Sequence, residues 1–175
     1  PYYRDELQNR GIWFDEQRFC KPYIREHFLW DRFGDLTDFV KSNYLSEFAP
    51  GCYNLHQDYD TQRKIEDKLT AEPDTSPEMR NRLERIVQGL YSLISEVLFL
   101  HAPGTDGNAF FPRNAFHFTR SYQELDGHTK HVLNEIYLDY FYHRNEEFWH
   151  AKAMAKLPVI KNATNMLLCG EDLGM

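Results

Sequence analysis

The sequence predicts a mainly α-helical fold that closes on a single β-strand. Three observations predict it. Apolar residues between Phe19 and Tyr44 recur at spacings of three and four; a longer stripe of the same period runs from Leu83 to Leu98; and a short apolar run after Asn165 has the form of a strand buried on both faces.

The first of these spans two helices. Phe19, Tyr23, Ile24, Phe28 and Leu29 form one face and Leu36, Phe39, Val40 and Tyr44 another, with Gly34 and Asp35 between them and the breaker Pro50-Gly51 ending the second. A shorter helix is expected over Thr61 to Leu69, with the charges from Arg63 to Lys68 on its solvated side. The clearest helix begins at Ser76-Pro77-Glu78. Serine accepts from first-turn amides, proline suits the first helical position, and the glutamate favours the positive end of the helix dipole. Leu83, Ile86, Val87, Leu90, Leu93, Ile94, Val97 and Leu98 then form one core-facing stripe.

"APGTDGNAFFPRN" reads as a loop longer than most connections, the kind that often carries function. A further helix is expected from about Asp126, with Leu133, Ile136, Tyr137, Tyr140, Phe141, Phe148 and Ala151 on one face, ending at Leu157-Pro158 because proline disfavours helix in the preceding residue. The strand over "NMLLCG" comes next. No other segment supplies an obvious partner, so it reads as an orphan whose sheet lies elsewhere.

With 175 residues, 42% of them hydrophobic and 15% aromatic, the chain has the material for one globular domain. Its net charge of −7 argues against a nucleic-acid or anionic-membrane partner, since either requires a basic face. No apolar run approaches the ~20 residues that span a bilayer. The chain lacks an initiator Met and a leader, which fits a piece excised from a longer protein. Cys20, Cys52 and Cys169 are odd in number and far apart, matching neither a disulfide framework nor a zinc ribbon, and point to a reducing cytoplasm.

The candidate chemistry lies at the end of the chain. Glu171 and Asp172 follow the expected strand, and in a barrel of parallel strands the catalytic groups project from the strands' C-terminal ends. Adjacent side chains diverge there, so one carboxylate faces the site and the other holds local structure. His128 and His131 lie one helical turn apart but lack a third ligand at suitable spacing, and read as surface histidines. Cys169 reads as a small buried side chain. Tyr122, Tyr137, Tyr140, Tyr142, Phe148 and Trp149 read mostly as core, whereas Phe110, Phe111 and Arg113, on the loop, are the better candidates for contacts outside the core.

"LPVIKNATNMLLCGEDLGM" resembles the region around the general acid/base of the amylomaltases, the 4-α-glucanotransferases of glycoside hydrolase family 77, in which Glu-Asp-Leu-Gly follows the fifth barrel strand. "FYHRNEEFWHAKAMAKLPVI", "FFPRN" and "KPYIREHFLWDRFGD" resemble the long insertion of the branch typified by the plant cytosolic disproportionating enzyme. The resemblance implies that Glu171 is the acid/base of a (β/α)₈ barrel, with Asp172, Phe110, Phe111 and Arg113 as candidate substrate contacts, the last three touching the barrel or its glucan. It also implies that residues 1–158 are a helical insertion between barrel strands four and five, and that residues 159–175 are the fifth strand and its turn.

The family's nucleophilic Asp, in an Arg-Ile-Asp-His segment, and its transition-state-stabilising Asp lie outside this chain. Retaining transfer needs two carboxyl groups about 5 Å apart, so the isolated chain is expected to be inactive. The implied partners are an α-1,4-glucan and the remainder of the same polypeptide; no metal or redox cofactor is implied. Two other readings stay open: another α-glucan hydrolase or transglycosylase barrel, and a helical interaction module whose last carboxylates are structural.

Overall fold

A computed structural model describes residues 1–70, 76–163, 165–167 and 169. They divide into two compact units, Pro1–Val132 and Leu133–Met175. Helix dominates as expected, but the first unit also holds two small antiparallel sheets that the sequence pattern did not reveal.

In one sheet β6 (Ala109–Pro112) lies between β1 (Tyr2–Tyr3) and β5 (Phe99–His101), with Phe110 opposite Tyr2 on one side and His101 on the other. In the other, β4 (Cys52–Leu55) lies between β2 (Ile24–Arg25) and β3 (Leu45–Ala49). The strands are two to five residues long, too short for alternation to register against the helical period. Pro50-Gly51, expected to end a helix, instead turns β3 into β4. Gly51 takes φ +68°, open to glycine without strain, and its N–H donates to Glu47 Oε1 at 2.8 Å.

Helices α1 (Arg4–Asn9) and α2 (Glu16–Phe19) precede β2, and α3 (Glu26–Phe33) and α4 (Thr37–Tyr44) follow it. The continuous helix expected through Phe19 to Leu29 is therefore broken at its centre. Pro22 is the reason: it has no N–H to donate and holds Lys21 out of the helical region. A 3-10 turn at Gly34–Leu36 separates α3 from α4, where the sequence placed the break. Helix α5 (Gln62–Lys68) forms as expected, with Thr61 Oγ1 accepting from the Lys64 amide at 3.4 Å.

The long helix α6 (Pro77–Ile94) starts with the expected cap, Ser76 Oγ accepting from the Met79 amide at 3.3 Å. It ends earlier than the apolar stripe suggested. Val97 and Leu98 are buried but lie outside the helix, leading into β5, because their strip of backbone is engaged elsewhere: Leu98 N–H donates to Phe19 O and Tyr23 N–H to Glu96 O, both at 2.9 Å. Ile86, Leu90 and Leu93 of α6 pack with Leu29 and Phe33 of α3, Val40 and Tyr44 of α4, and Ile65 of α5 in one core.

At the centre of that core α6 carries Gly89, and the Phe33 ring occupies the space a side chain would fill. A Cβ at Gly89 would lie 2.6 Å from Phe33 Cζ and 2.9 Å from Cδ1. The glycine is thus retained for close approach, against its poor helix propensity.

The segment after β5 is a tight turn over residues 102–108 followed by β6, not the long loop expected. Beyond it, α7 (Arg120–Gln123) and α8 (Gly127–Leu138) follow, and the boundary between the units falls within α8. In the second unit the single helix expected from Asp126 to Leu157 is interrupted by a π-helical turn at Asp139–His143, where Arg144 N–H donates to Asp139 O at 2.6 Å. That extra residue per turn rotates the downstream helix about its axis, so Phe148 and Ala151 do not continue the buried face of Leu133 and Ile136. Helix α9 (Glu146–Asn162) also runs through Pro158 rather than stopping before it, and none of its residues is buried. Ala151, Ala153, Met154, Ala155 and Lys156 are strong helix formers and sustain it across the hydrogen bond that proline omits.

An alanine at Gly89 should unfold more easily despite its better helix propensity. We expect a loss of about 2 kcal/mol by urea denaturation, the overpacking cost less the propensity gain, partly recovered when Phe33→Leu is added. The Glu26 carboxylate joins α3 to α4 and β4, accepting from Lys41 Nζ at 2.6 Å and from the Tyr53 hydroxyl. The bond from Lys41, then that from Tyr53, holds its pKa below the usual carboxylate value. Its stabilisation is therefore present above the unfolded-state pKa and is lost as pH falls through the folded one. The urea midpoints of wild type and Glu26→Gln should accordingly differ at neutral pH and converge in acid.

Candidate functional site

Glu171 and Asp172 lie outside the described residues. Of the residues expected to form the orphan strand, Leu168 and Gly170 also lie outside the described residues; Asn165 and Met166 make a bend, and Leu167 and Cys169 have no regular structure. A strand of this type has its backbone N–H and C=O groups satisfied only by neighbouring strands, and among the described residues none runs beside it. Cys169, expected to be buried, is exposed for the same reason.

The candidate sugar contacts on residues 110–113 separate from one another. Phe110 is a strand residue and fully buried, its ring 4.3 Å from that of Phe14 and 5.4 Å from the Arg4 guanidinium carbon. It therefore packs the β1-β6-β5 sheet. Phe111 points to the opposite side of β6 and is half-buried, and Arg113 is half-buried with its amide donating to Leu98 O at 2.9 Å. Tyr142, Phe148 and Trp149, expected mostly as core, are exposed at 50, 52 and 66%. His128 and His131 are exposed, as expected, and no group of three metal-ligating side chains occurs among the described residues.

One concave surface of the first unit was not singled out by the sequence. It is a cleft of about 210 Å³ between α3, the C-terminal end of α6 and the segment before α7, lined by Phe28, Asp31, Arg32, Ser92, Leu93, Glu96, Phe118 and Arg120. A short 3-10 turn, Phe116–Phe118, builds its outer wall. Ala115 enters that turn in the left-handed region at φ 57°, an uncommon conformation for a residue with a Cβ. The turn sends Phe116 into the core at 0% exposure and Phe118 outward at 84%. Thr119 locks it, its hydroxyl donating to Phe116 O at 2.6 Å and accepting from the Tyr122 amide at 3.0 Å.

Polar groups around the cleft are held in place. Arg120 donates to Asp31 Oδ2 at 3.0 Å while its guanidinium carbon lies 4.8 Å from the Phe28 ring centroid. Glu96 Oε2 accepts from the Ser121 amide at 3.0 Å. Sequence carried one signal for this site: in "FHFTR" two phenylalanines lie two apart, so a turn that buries one exposes the other. A second cleft, of about 260 Å³, is lined by Arg18, Tyr23, Arg25, Phe48, Cys52 and Tyr53 among others, with Arg18 and Arg25 both over the Tyr23 ring.

Comparison with known proteins then bears on what the chain is part of. Against 4-alpha-glucanotransferase DPE2 of rice (Oryza sativa subsp. japonica) it is 34% identical over 172 residues. Along 98% of its length this chain is related to a 4-alpha-glucanotransferase. The match covers only 18% of the rice glucanotransferase, so the chain spans less than a fifth of that relative's length. No protein-family model matches the sequence, and no solved structure matches the fold.

The cysteines offer a check on these placements. Burial, reinforced by Glu16, pushes the Cys20 thiol up to about 12, and Cys52 is buried, whereas Cys169 is exposed. A native chain treated with a thiol reagent at pH 8 should label first at Cys169, with Cys20 and Cys52 reacting only on unfolding. Rapid labelling of Cys20 would contradict its placement.

Proposed function

We propose that this chain is a segment of a 4-α-glucanotransferase that moves α-1,4-linked glucan segments between acceptors by a retaining double displacement, with Glu171 as the general acid/base. The observation that carries the reading is the similarity to the rice 4-alpha-glucanotransferase along nearly the whole chain. The helical fold with small sheets suits an inserted subdomain. On this reading it lies between the fourth and fifth strands of a (β/α)₈ barrel, with residues 159–175 leading into the fifth strand and its active-site turn.

In the first half of the reaction a carboxylate from elsewhere in the longer protein attacks the anomeric carbon while protonated Glu171 gives its proton to the departing glycosidic oxygen. In the second half Glu171 takes a proton from the acceptor hydroxyl, which displaces the enzyme carboxylate and regenerates the α-linkage. The group must be protonated at one step and ionised at the next, so burial and the neighbouring carboxylate have to raise its pKa in the assembled site. Asp172 holds the turn beside it, and Phe111 and Arg113 contact the glucan or the barrel. Every bond exchanged is C–O or O–H, so the chemistry needs no metal and no redox cofactor. The widely spaced cysteines suit a cytoplasmic protein.

In the full-length protein Glu171→Gln should lower maltotriose disproportionation by about two to four orders of magnitude at unchanged fold, measured by glucose release and circular dichroism. The 175-residue chain alone should show no transfer. Turnover undiminished in the Gln variant would remove Glu171 from the mechanism.

A further inference from the structure

We propose that the cleft between α3, α6 and the Phe116–Phe118 turn is a glucan-holding site, separate from the catalytic carboxylates, that seats a terminal sugar unit of an α-glucan chain. The identity of the ligand rests on the glucanotransferase reading above; the existence of the site rests on its own geometry.

Four features specify the ligand class. Phe118 is 84% exposed, yet it stands on a turn fixed by the Thr119 hydroxyl and entered through a left-handed Ala115. A non-glycine residue in that region is strained, and strain of this kind is retained where a particular side-chain placement is used. An aromatic face so presented suits the C–H surface of a sugar ring. Second, the charges around the cleft cancel: Arg32 and Arg120 balance Asp31 and Glu96, so the site favours a neutral ligand over a phosphate or a carboxylate.

Third, the hydrogen-bonding groups are planar and preorganised. Arg120 is clamped between Asp31 and the Phe28 face, and Glu96 is anchored by the Ser121 amide, leaving carboxylate and guanidinium edges of the shape that bridges vicinal hydroxyls. Arg32 makes no ion pair or side-chain hydrogen bond to any described residue and supplies a further donor. Fourth, the volume of about 210 Å³ falls below the ~300–1,000 Å³ of pockets that enclose drug-sized ligands, so one ring fits rather than a length of chain. Taken together, these select a neutral polyol ring with one apolar face.

The test is hydrogen–deuterium exchange of the full-length protein with and without saturating maltohexaose, read on peptides covering 28–33 and 115–122, alongside glucan transfer on the same preparation. Maltohexaose should protect both segments. Phe118→Ala should weaken that protection, raising the maltohexaose concentration for half-maximal protection by about threefold to tenfold, as expected for loss of one aromatic face. Phe118→Trp should retain it, and Trp13→Ala, an exposed aromatic outside the cleft, should leave it intact.

No protection of these peptides, or protection unchanged in Phe118→Ala, overturns the site whatever the transfer assay shows. Phe118-dependent protection in a protein without glucan transfer upholds the site and overturns the glucanotransferase reading instead. Protection by inorganic phosphate in place of maltohexaose would overturn the assignment of a neutral ligand.

Discussion

The first unit is arranged around the contact between Gly89 and the Phe33 ring. With no side chain at that position, α6 lies against α3 closely enough for Ile86, Leu90 and Leu93 to reach Leu29, Val40 and Tyr44 in one core. Arg85 extends the contact, donating to Asp35 Oδ1 at 2.9 Å and to Phe33 O at 3.4 Å, so the end of α3 is tied to α6 by backbone and side chain together. The same approach sets the width of the cleft, whose walls are the next turns of these two helices: Phe28, Asp31 and Arg32 on α3, Ser92, Leu93 and Glu96 on and after α6. A mechanical constraint at one glycine is thus connected to the shape of a binding surface.

Polar contacts fix the pieces that the apolar core does not. Arg18 reaches from α2 to Ser121, donating to its hydroxyl and its carbonyl at 2.5 Å, while Glu96 accepts from the Ser121 amide. Ser121 is fully buried, so these bonds satisfy groups that water does not reach. Glu124 accepts from the Tyr23 hydroxyl and contacts His27, both at 3.0 Å; burial acts to raise its pKa, and those two bonds outweigh it and lower it. The remaining ion pairs are largely exposed, where each contributes about 0–1 kcal/mol, so they orient the surface more than they hold the fold.

The two ends of the chain stand differently toward function. The first unit has a core, satisfied buried polar groups and a shaped cleft. The second carries a helix, α9, with no buried residue and with Phe148, Trp149, Leu157, Val159 and Ile160 exposed, in a chain that matches less than a fifth of its rice relative. Catalysis on the proposed reading needs carboxylates from two parts of a longer protein, and this chain holds one of them.

Several features were determined by the sequence itself. The Ser76-Pro77 start of α6, the Thr61 start of α5 and the break at Gly34 are local chemistry, fixed by caps and by backbone preferences that neighbouring residues alone decide. The carboxylates at 171–172 and the resemblance around them were equally legible, because a motif is a property of consecutive residues. Tertiary structure decided the rest. Whether Phe110 is a loop contact or a core ring depends on Tyr2 and His101 pairing beside it, residues distant in the chain or across a turn. The early end of α6 depends on Phe19 and Tyr23 engaging the backbone around Leu98, and the close approach of α3 to α6, two of the cleft's walls, depends on the space left at Gly89. Periodicity reports which residues are apolar; which partner covers them is settled by contacts between segments far apart in sequence.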